Sequence, residues 1–448
     1  MAVHHVLKQL WVWLKAEVRV NSSPKVSVIL ATYNQARFLA KAMRSLLAQS
    51  YDDFELILVD DCSRDDTADL AEQLALGTRA RAIRHNSNLG QYQTYNQTLS
   101  LATGEYVIFA SGDDVNSPDL LAREVAVLDR QSSVGLVFSN VLLIDEKDFV
   151  LRDLAAFQAA SMPWLREDYV HSGLEELPRL LNENYVVCIG SVLIRKSALL
   201  EIGGWDETMP QAADWDLWLR FASRYDLAYV AEPLLAWRQH ADTVTSRLRR
   251  SGRYYDDNIR VLAKAFAALP ESARHLEARK PELLARAYAA SAIAAVAAGR
   301  MAEARERLAA AADADAGLLA QPELVVELLC RHGASLLDPQ GSTEQMTHYV
   351  DSVVGAFPTP PAWWGEWRTQ SHARMLWAVA KQARGLGQMA AVRRHAARAA
   401  LLSPRCVAAR EALSLAPAFV PFGPQAIAAY RRARPRRATG SLASALLG

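Results

Sequence analysis

The stretch Phe109-Ala110-Ser111-Gly112-Asp113-Asp114 decides how this chain folds. It closes an apolar run, Tyr106 to Ala110, and sets two adjacent carboxylates just beyond it. A strand buried on both faces of a parallel sheet reads as a short continuous apolar run, and open α/β sheets bind ligands outside the carboxyl ends of their strands. Neighbouring carboxylates repel one another unless a cation joins them, and a hard divalent ion with oxygen ligands meets that need. The same letters also suit a plain turn, because Ser, Gly and Asp form turns for local reasons.

Upstream, the pattern repeats. Val26 to Ala31 is a β-branched apolar run, followed by Thr32-Tyr33-Asn34 and then Phe38, Leu39, Ala42, Met43, Leu46 and Leu47 at helical spacing. Phe54 to Val59 is a second apolar strand, with Asp60-Asp61 at its end and a helix carrying Leu70, Ala71 and Leu74 after it. Ala82-Ile83-Arg84 gives a third strand, and Tyr92 to Ala102 a helix leading to the Tyr106 strand. Strands alternating with helices of these lengths make a mostly parallel sheet, which brings Asp60-Asp61 and Asp113-Asp114 to one edge. Neither the dinucleotide fingerprint nor the P-loop pattern follows the first strand, so phosphates here call for a metal instead of glycine amides.

Downstream, Cys188 to Arg195 reads as a strand and Lys196 to Ile202 as a helix closed by Gly203-Gly204. Asp214 opens a helix that carries Leu217, Trp218 and Phe221 on one face, a place where Asp also serves as an N-cap. A short strand, Ala228 to Ala231, precedes Trp237-Arg238-Gln239-His240. A lone loop histidine is more often exposed or hydrogen-bonded than a ligand.

Four pieces in order, VSVILATYNQARFLAKAMRSLLAQSYDDFELILVDDCSRDDT from Val26, NLGQYQTYNQTLSLATGEYVIFASGDD from Asn88, DWDLWLR from Asp214 and WRQH from Trp237, resemble the family 2 glycosyltransferases over about half of the chain. The resemblance implies the GT-A fold and inverting transfer from a nucleotide-sugar. It places Thr32, Tyr33, Asn34 and Asp60 in the nucleoside pocket, with Asp60 accepting from the base and Asp61 supporting that loop. Asn88, Gly90 and Asn96 would shape the wall near ribose and sugar, and Asp113 would contact the ribose. Asp114 and His240 would reach a divalent ion, Mn²⁺ or Mg²⁺, and Asp214 would be the general base. Gly190, Ser191, Trp205, Trp215 and Arg238 fall on the acceptor side. Two positions depart from the family's pattern: Ser111 stands where its first metal-loop acid would be, and Ala213 where a glutamate usually precedes the base.

The 448 residues exceed one ordinary core. With 50 basic against 49 acidic residues and a net charge of +1, the chain lacks the basic footprint of a nucleic-acid binder. Cys62, Cys188, Cys330 and Cys406 are far apart with no C-x-x-C pair, as in a reducing compartment without structural zinc. No run is long enough for a membrane span. Val3, Val6, Leu7, Leu10, Trp11, Leu14 and Val18 recur at helical spacing, predicting an amphipathic helix that docks on the protein or lies on a membrane surface. Beyond Tyr254 the chain is rich in alanine, leucine and arginine, as packed helices are. Gly299 with Ala304 and Ala311, and Gly387 with Val392, Ala399 and Pro404, share a tetratricopeptide-like spacing that also suits a helical bundle. Trp363 and Trp364 follow a proline-rich break and suit a core anchor or a partner surface, and five arginines between Arg431 and Arg437 make a basic tail.

The sequence therefore predicts an N-terminal helix over 1–23, a GT-A domain of α/β class over 24–250, an all-α domain over 251–430 and a disordered tail over 431–448. The expected activity is hexosyl transfer from a UDP- or dTDP-sugar to a hydroxyl of a surface glycan or lipid-linked saccharide. The expected setting is the cytoplasm, with contact to the inner face of the plasma membrane and a protein partner of the helical domain left open. The alternative is a weak or inactive GT-A scaffold acting through its helices, for which Ser111 and Ala213 speak. A nucleotidyltransferase would need a glycine-rich basic loop where ATYNQARF stands.

Overall fold

The computed structural model describes residues 10–12 and 23–403, apart from positions 160, 358, 360, 386 and 387. Contacts divide the chain into two compact units, one running to His240 and taking in Leu269–Ala273, the other holding Ala241–Ala268 and the chain from Arg274 on.

The first unit is built on one eleven-stranded sheet. Its strands are β1 (Leu10–Val12), β2 (Val26–Thr32), β3 (Phe54–Asp60), β4 (Ala80–His85), β5 (Tyr106–Ser111), β6 (Val115–Asn116), β7 (Val134–Ile144), β8 (Val150–Asp153), β9 (Tyr169–His171), β10 (Val192–Arg195) and β11 (Asp226–Arg238). The order is β1-β4-β3-β2-β5-β10-β7-β11-β6, with β8 on β7 and β9 on β11. β2 pairs in parallel with β3 and β5, β3 with β4, and β7 with β11, while β10 runs antiparallel to both β5 and β7. Six strands, β2, β3, β4, β5, β7 and β11, thus point one way. Register sets Thr32 beside Asp60 and Ala31 beside Ser111, so the predicted acids do gather at one edge.

The longer helices of this unit are α1 (Ala36–Leu47), α2 (Thr67–Ala75), α3 (Gln91–Leu99), α4 (Leu120–Arg130), α5 (Gly173–Asn182) and α6 (Ala213–Ala222). Leu39, Ala42, Met43 and Leu46, the stripe legible on α1, are all buried. Leu39, Met43 and Leu46 share a core with Val28 and Leu30 of β2, Leu56 and Leu58 of β3, and Leu121, Val125 and Leu128 of α4. That apolar burial, at about 25 cal/mol per Å², is the main term holding sheet to helices.

Three expectations are corrected. Leu10–Val12 is an edge strand antiparallel to β4, not part of a helix; the rest of 1–22 lies outside the described residues, as do Pro404 and the arginine-rich tail. The strand read over Cys188–Arg195 begins only at Val192, because Ile189–Ser191 is a 3₁₀ turn whose Ser191 hydroxyl donates to the Cys188 carbonyl. The strand read over Ala228–Ala231 runs on to Arg238, its pairing with β7 shifting register around Pro233.

The second unit is helical: α7 (Asp256–Ala267), α8 (Lys280–Ala297), α9 (Met301–Ala314), α10 (Thr343–Gly355), α11 (Trp364–Gly385) and α12 (Met389–Leu402), with shorter helices between. Two pairs joined by short turns, α8 with α9 and α11 with α12, pack together. Gly299 takes φ 74° in the first turn, a conformation that favours glycine. Ala304, Ala311, Val392 and Ala399, the small residues of the shared spacing, are all buried in this unit's core. Among the described residues no helix is long and apolar enough to cross a membrane.

Candidate functional site

The strand ends deliver a row of polar side chains. After β2 the chain turns through Asn34, whose φ of 53° suits asparagine better than most residues. Its backbone N–H donates to the Ser63 hydroxyl at 2.9 Å and its side chain accepts from Arg64 N–H at 2.8 Å, which ties the β2 turn to the β3 turn. Asp60 Oδ2 accepts from Ser63 N–H at 3.0 Å, while its Oδ1 is buried without a partner. Burial lifts the Asp60 carboxyl above its ordinary value. Asp61 is spent on the neighbouring loop: it accepts from Leu89 and Gly90 N–H, each at 2.9 Å, and meets His85 Nδ1 at 2.9 Å. Burial opposes its charge, but the His85 contact and the two amides prevail and hold the carboxyl below the usual range. Between these two acids Cys62 is held at φ 63°, a strained position for a non-glycine residue that the surrounding bonds impose. Asn88 donates to the Asp61 carbonyl at 3.0 Å.

The loop after β5 is packed from both sides. A Cβ on Gly112 would lie 2.6 Å from Gln35 Oε1 and 2.7 Å from Thr32 Oγ1, so only glycine lets this loop close against the β2 turn. Asp113 accepts from the Ser111 hydroxyl and pairs with His240 Nε2 at 3.0 Å. Asp114 is turned inward: Oδ1 accepts from Arg238 N–H at 2.9 Å and Oδ2 lies 4.0 Å from Cys188 Sγ. Burial, then the Asp113 charge, push its carboxyl well above the ordinary value.

Asp214 lies in the first turn of α6, one residue inside the helix, whose N-cap is Ala212. It is half-buried. Its Oδ1 accepts from Trp215 N–H at 2.7 Å and its Oδ2 from Asn184 Nδ2 at 3.1 Å, and burial pushes its carboxyl up to about 6.

Comparison with known proteins gives the frame for this edge. Residues 27–203 match the family described as Glycosyl transferase family 2. EpsE of Bacillus subtilis (strain 168), which bears a glycosyltransferase name, is 33% identical over 251 residues, covering 55% of this chain and 83% of EpsE. The chain belongs to glycosyl transferase family 2. The uncharacterized glycosyltransferase MJ1057 of Methanocaldococcus jannaschii is 26% identical over 236 residues, 52% of this chain and 77% of its own. Among solved structures, S. aureus TarS 1-349 in complex with UDP-GlcNAc is 16% identical and covers 81% of this chain and 92% of TarS 1-349, with a TM-score of 0.47.

In this glycosyltransferase several expected site residues serve the framework. Arg238 is 2% exposed, and its guanidinium donates to the carbonyls of Asp113 at 2.7 Å and Asp145 at 3.0 Å and pairs with Asp148 at 2.7 Å. Its Nε and Nη1 thus hold the Asp113–Asp114 loop. Trp215 is buried, its indole N–H donating to the Leu180 carbonyl at 2.7 Å. Trp205 is buried against Tyr92, Tyr95, Phe109 and Trp218. Asn96 grips both the N–H and the carbonyl of Trp205, at 3.0 and 2.9 Å, and so clamps that loop instead of forming a wall near ribose. Arg220 completes the clamp through the carbonyls of Ile202 and Gly204, each at 2.8 Å. Gly190 and Ser191 are buried in their 3₁₀ turn. Asp114 and His240, expected to share an ion, have separate partners. Asn184, which touches Asp214, carries no motif of its own and was not legible from sequence.

Proposed function

We propose that this glycosyltransferase moves a hexosyl group, with inversion, from a nucleoside-diphosphate donor to a hydroxyl of a glycan or lipid-linked saccharide, with Asp214 as the general base. The observation that carries the reading is Asp214 itself: a carboxyl in the first turn of a helix, raised to about 6, titrates close to neutral pH, where a base works best. The acceptor oxygen gives its proton to Asp214 and bonds to the anomeric carbon, while the bond from that carbon to the diphosphate oxygen breaks and leaves its electron pair on the diphosphate.

Asp60 suits the nucleobase end. Its Oδ1 lacks a donor, and a base N–H supplies one; a UDP- or dTDP-sugar fits, since uracil and thymine each carry such a group. Thr32, Tyr33, Asn34 and Asn88 lie on the turns beside it.

For a divalent ion, Mn²⁺ or Mg²⁺, the donor set favours Asp113 and His240 over the pair Asp114 and His240. Asp114 directs its oxygens at the Arg238 amide and Cys188, whereas Asp113 and His240 touch. Among the described residues no three His, Cys, Asp or Glu side chains are grouped to hold an ion alone. That is compatible with an ion bound by one or two side chains plus donor phosphates and water. A bound ion there would offset the charge that develops on the leaving diphosphate.

Calorimetric titration of UDP and dTDP with and without Mn²⁺ tests the donor reading, on the wild type, Asp60→Ala, Asp113→Ala and Asp114→Asn. Metal-dependent binding lost in Asp113→Ala is the expected outcome. No binding of either nucleotide under any metal would favour a scaffold role instead.

A further inference from the structure

The wall beside Asp214 holds polar groups that the fold does not use. The Asn184 amide nitrogen donates to Asp214 Oδ2 at 3.1 Å, but its carbonyl Oδ1 is buried with no donor. The next residue, Tyr185, is 3% exposed and its hydroxyl also lacks a partner. Its ring stands edge-on to Trp164 with centroids 6.0 Å apart, and the Trp164 indole N–H is likewise unpaired. Buried polar atoms without partners cost free energy and call for an explanation each time. Tyr185 follows Asn184 in the chain and meets Trp164, whose ring also carries the Arg179 guanidinium 4.9 Å from its centroid. The hydroxyls of a saccharide can supply the missing partners, and sites for such ligands combine aromatic lining with a few placed polar groups.

We propose that Asn184 is a positioning residue for Asp214 and that, with Tyr185 and Trp164, it forms the wall that seats a saccharide acceptor. This rests on the reading of Asp214 as the base. The amide N–H fixes the rotation of the carboxylate, leaving its free lone pairs for the reacting hydroxyl. The same amide offers its carbonyl oxygen to a second hydroxyl, so an acceptor with two neighbouring hydroxyls is preferred over water or a simple alcohol. The Asn184 bond also favours the charged form of Asp214 against burial, and the Asp214 charge in turn helps to push the buried Cys188 thiol up.

The test uses the full chain as wild type, Asn184→Ala, Tyr185→Phe and Trp164→Ala. Consumption of a panel of UDP- and dTDP-hexoses is followed with water alone and with methyl glycosides as acceptors. In Asn184→Ala, nucleotide affinity stays within about twofold, kcat with glycoside falls ~10²-fold, and transfer to water falls less. The acid limb of the kcat profile moves to higher pH, which a loss of packing alone does not produce. Tyr185→Phe and Trp164→Ala raise KM for the glycoside more than they lower kcat. The proposal is overturned if Asn184→Ala leaves the acid limb in place, or lowers both transfers in the same proportion. Failure of the underlying reading looks different: the wild type then consumes no sugar nucleotide. In that case saturation-transfer NMR with the methyl glycosides tests the wall by itself, and equal signals in wild type and Trp164→Ala refute it.

Discussion

On the proposed reading, Asp214 concentrates the conflict between stability and activity in one carboxyl. Its folded-state value of about 6 exceeds the ordinary 3.8, so the folded protein holds this proton more tightly than the unfolded chain does. Stability from this group is therefore complete below the unfolded value and is lost as pH rises through about 6. At neutral pH the charged form is a burden on the fold. Asp214→Asn should remove it and raise unfolding stability in urea at pH 7.5 by about 1–2 kcal/mol, discounted for partial exposure, while turnover falls by ~10³-fold. In the wild type, kcat should climb with pH through about 6 and then level. Asp214 could be singled out in the sequence because a four-piece pattern surrounds it. Its partner Asn184 could not, because a side chain that positions another residue needs only to be near it in space.

At the scale of elements, two buried charged residues show what sheet packing demands. Glu124 of α4 is fully buried, and burial pushes its carboxyl well above the ordinary value against the opposing pull of Ser139 and the Leu193 amide. Burial disfavours its charged form. Stability from it is complete below the unfolded value of 4.5 and is lost as pH rises above it, so Glu124→Gln should match the wild type in urea below pH 4.5 and exceed it increasingly as pH rises. Arg238, at the end of β11, is the opposite case: its charge is permanent and paired. Arg238→Ala leaves Asp148 to Lys41 alone and strips the Asp113 and Asp145 carbonyls of their donor, and should cost about 2–3 kcal/mol in equilibrium unfolding. Lysine should not restore it, because one ammonium cannot serve partners spread around a planar fork. The parallel strands β2, β3 and β5 were readable as apolar runs ended by polar turns. β7 and α4 escaped notice, since SVGLVFSNVLLI mixes polar letters into a strand whose buried Ser139 and Asn140 stay inside. β1 was misread because a run of three apolar residues, Leu10-Trp11-Val12, satisfies a helix and a strand alike.

At the scale of the molecule, a sheet unit and a helical unit share one chain, and each has its own core. The helical core is lined by alanine where longer side chains would keep helices apart: Ala285, Ala292, Ala295, Ala304 and Ala311 are all fully buried. Ala304→Leu should overpack the turn between α8 and α9 and cost about 1–3 kcal/mol, read as an earlier loss of helical far-UV signal in urea. Composition announced the helices of this unit. It did not announce how they pair, because alanine suits a close approach between any two helices.

The place of β10 in the sheet has a consequence for synthesis. β5 finds one neighbour, β2, early in the chain, but its other neighbour is Val192–Arg195. About 80 residues must leave the ribosome between the two, which at ~5–20 residues per second is about 4–16 s. During that interval the far side of β5 is an open hydrogen-bonding edge of an apolar strand, the kind of edge that recruits strands from other nascent chains. Pausing after β10 would shield that edge sooner than pausing before it, and a trigger-factor-like chaperone would have its longest task between those two points.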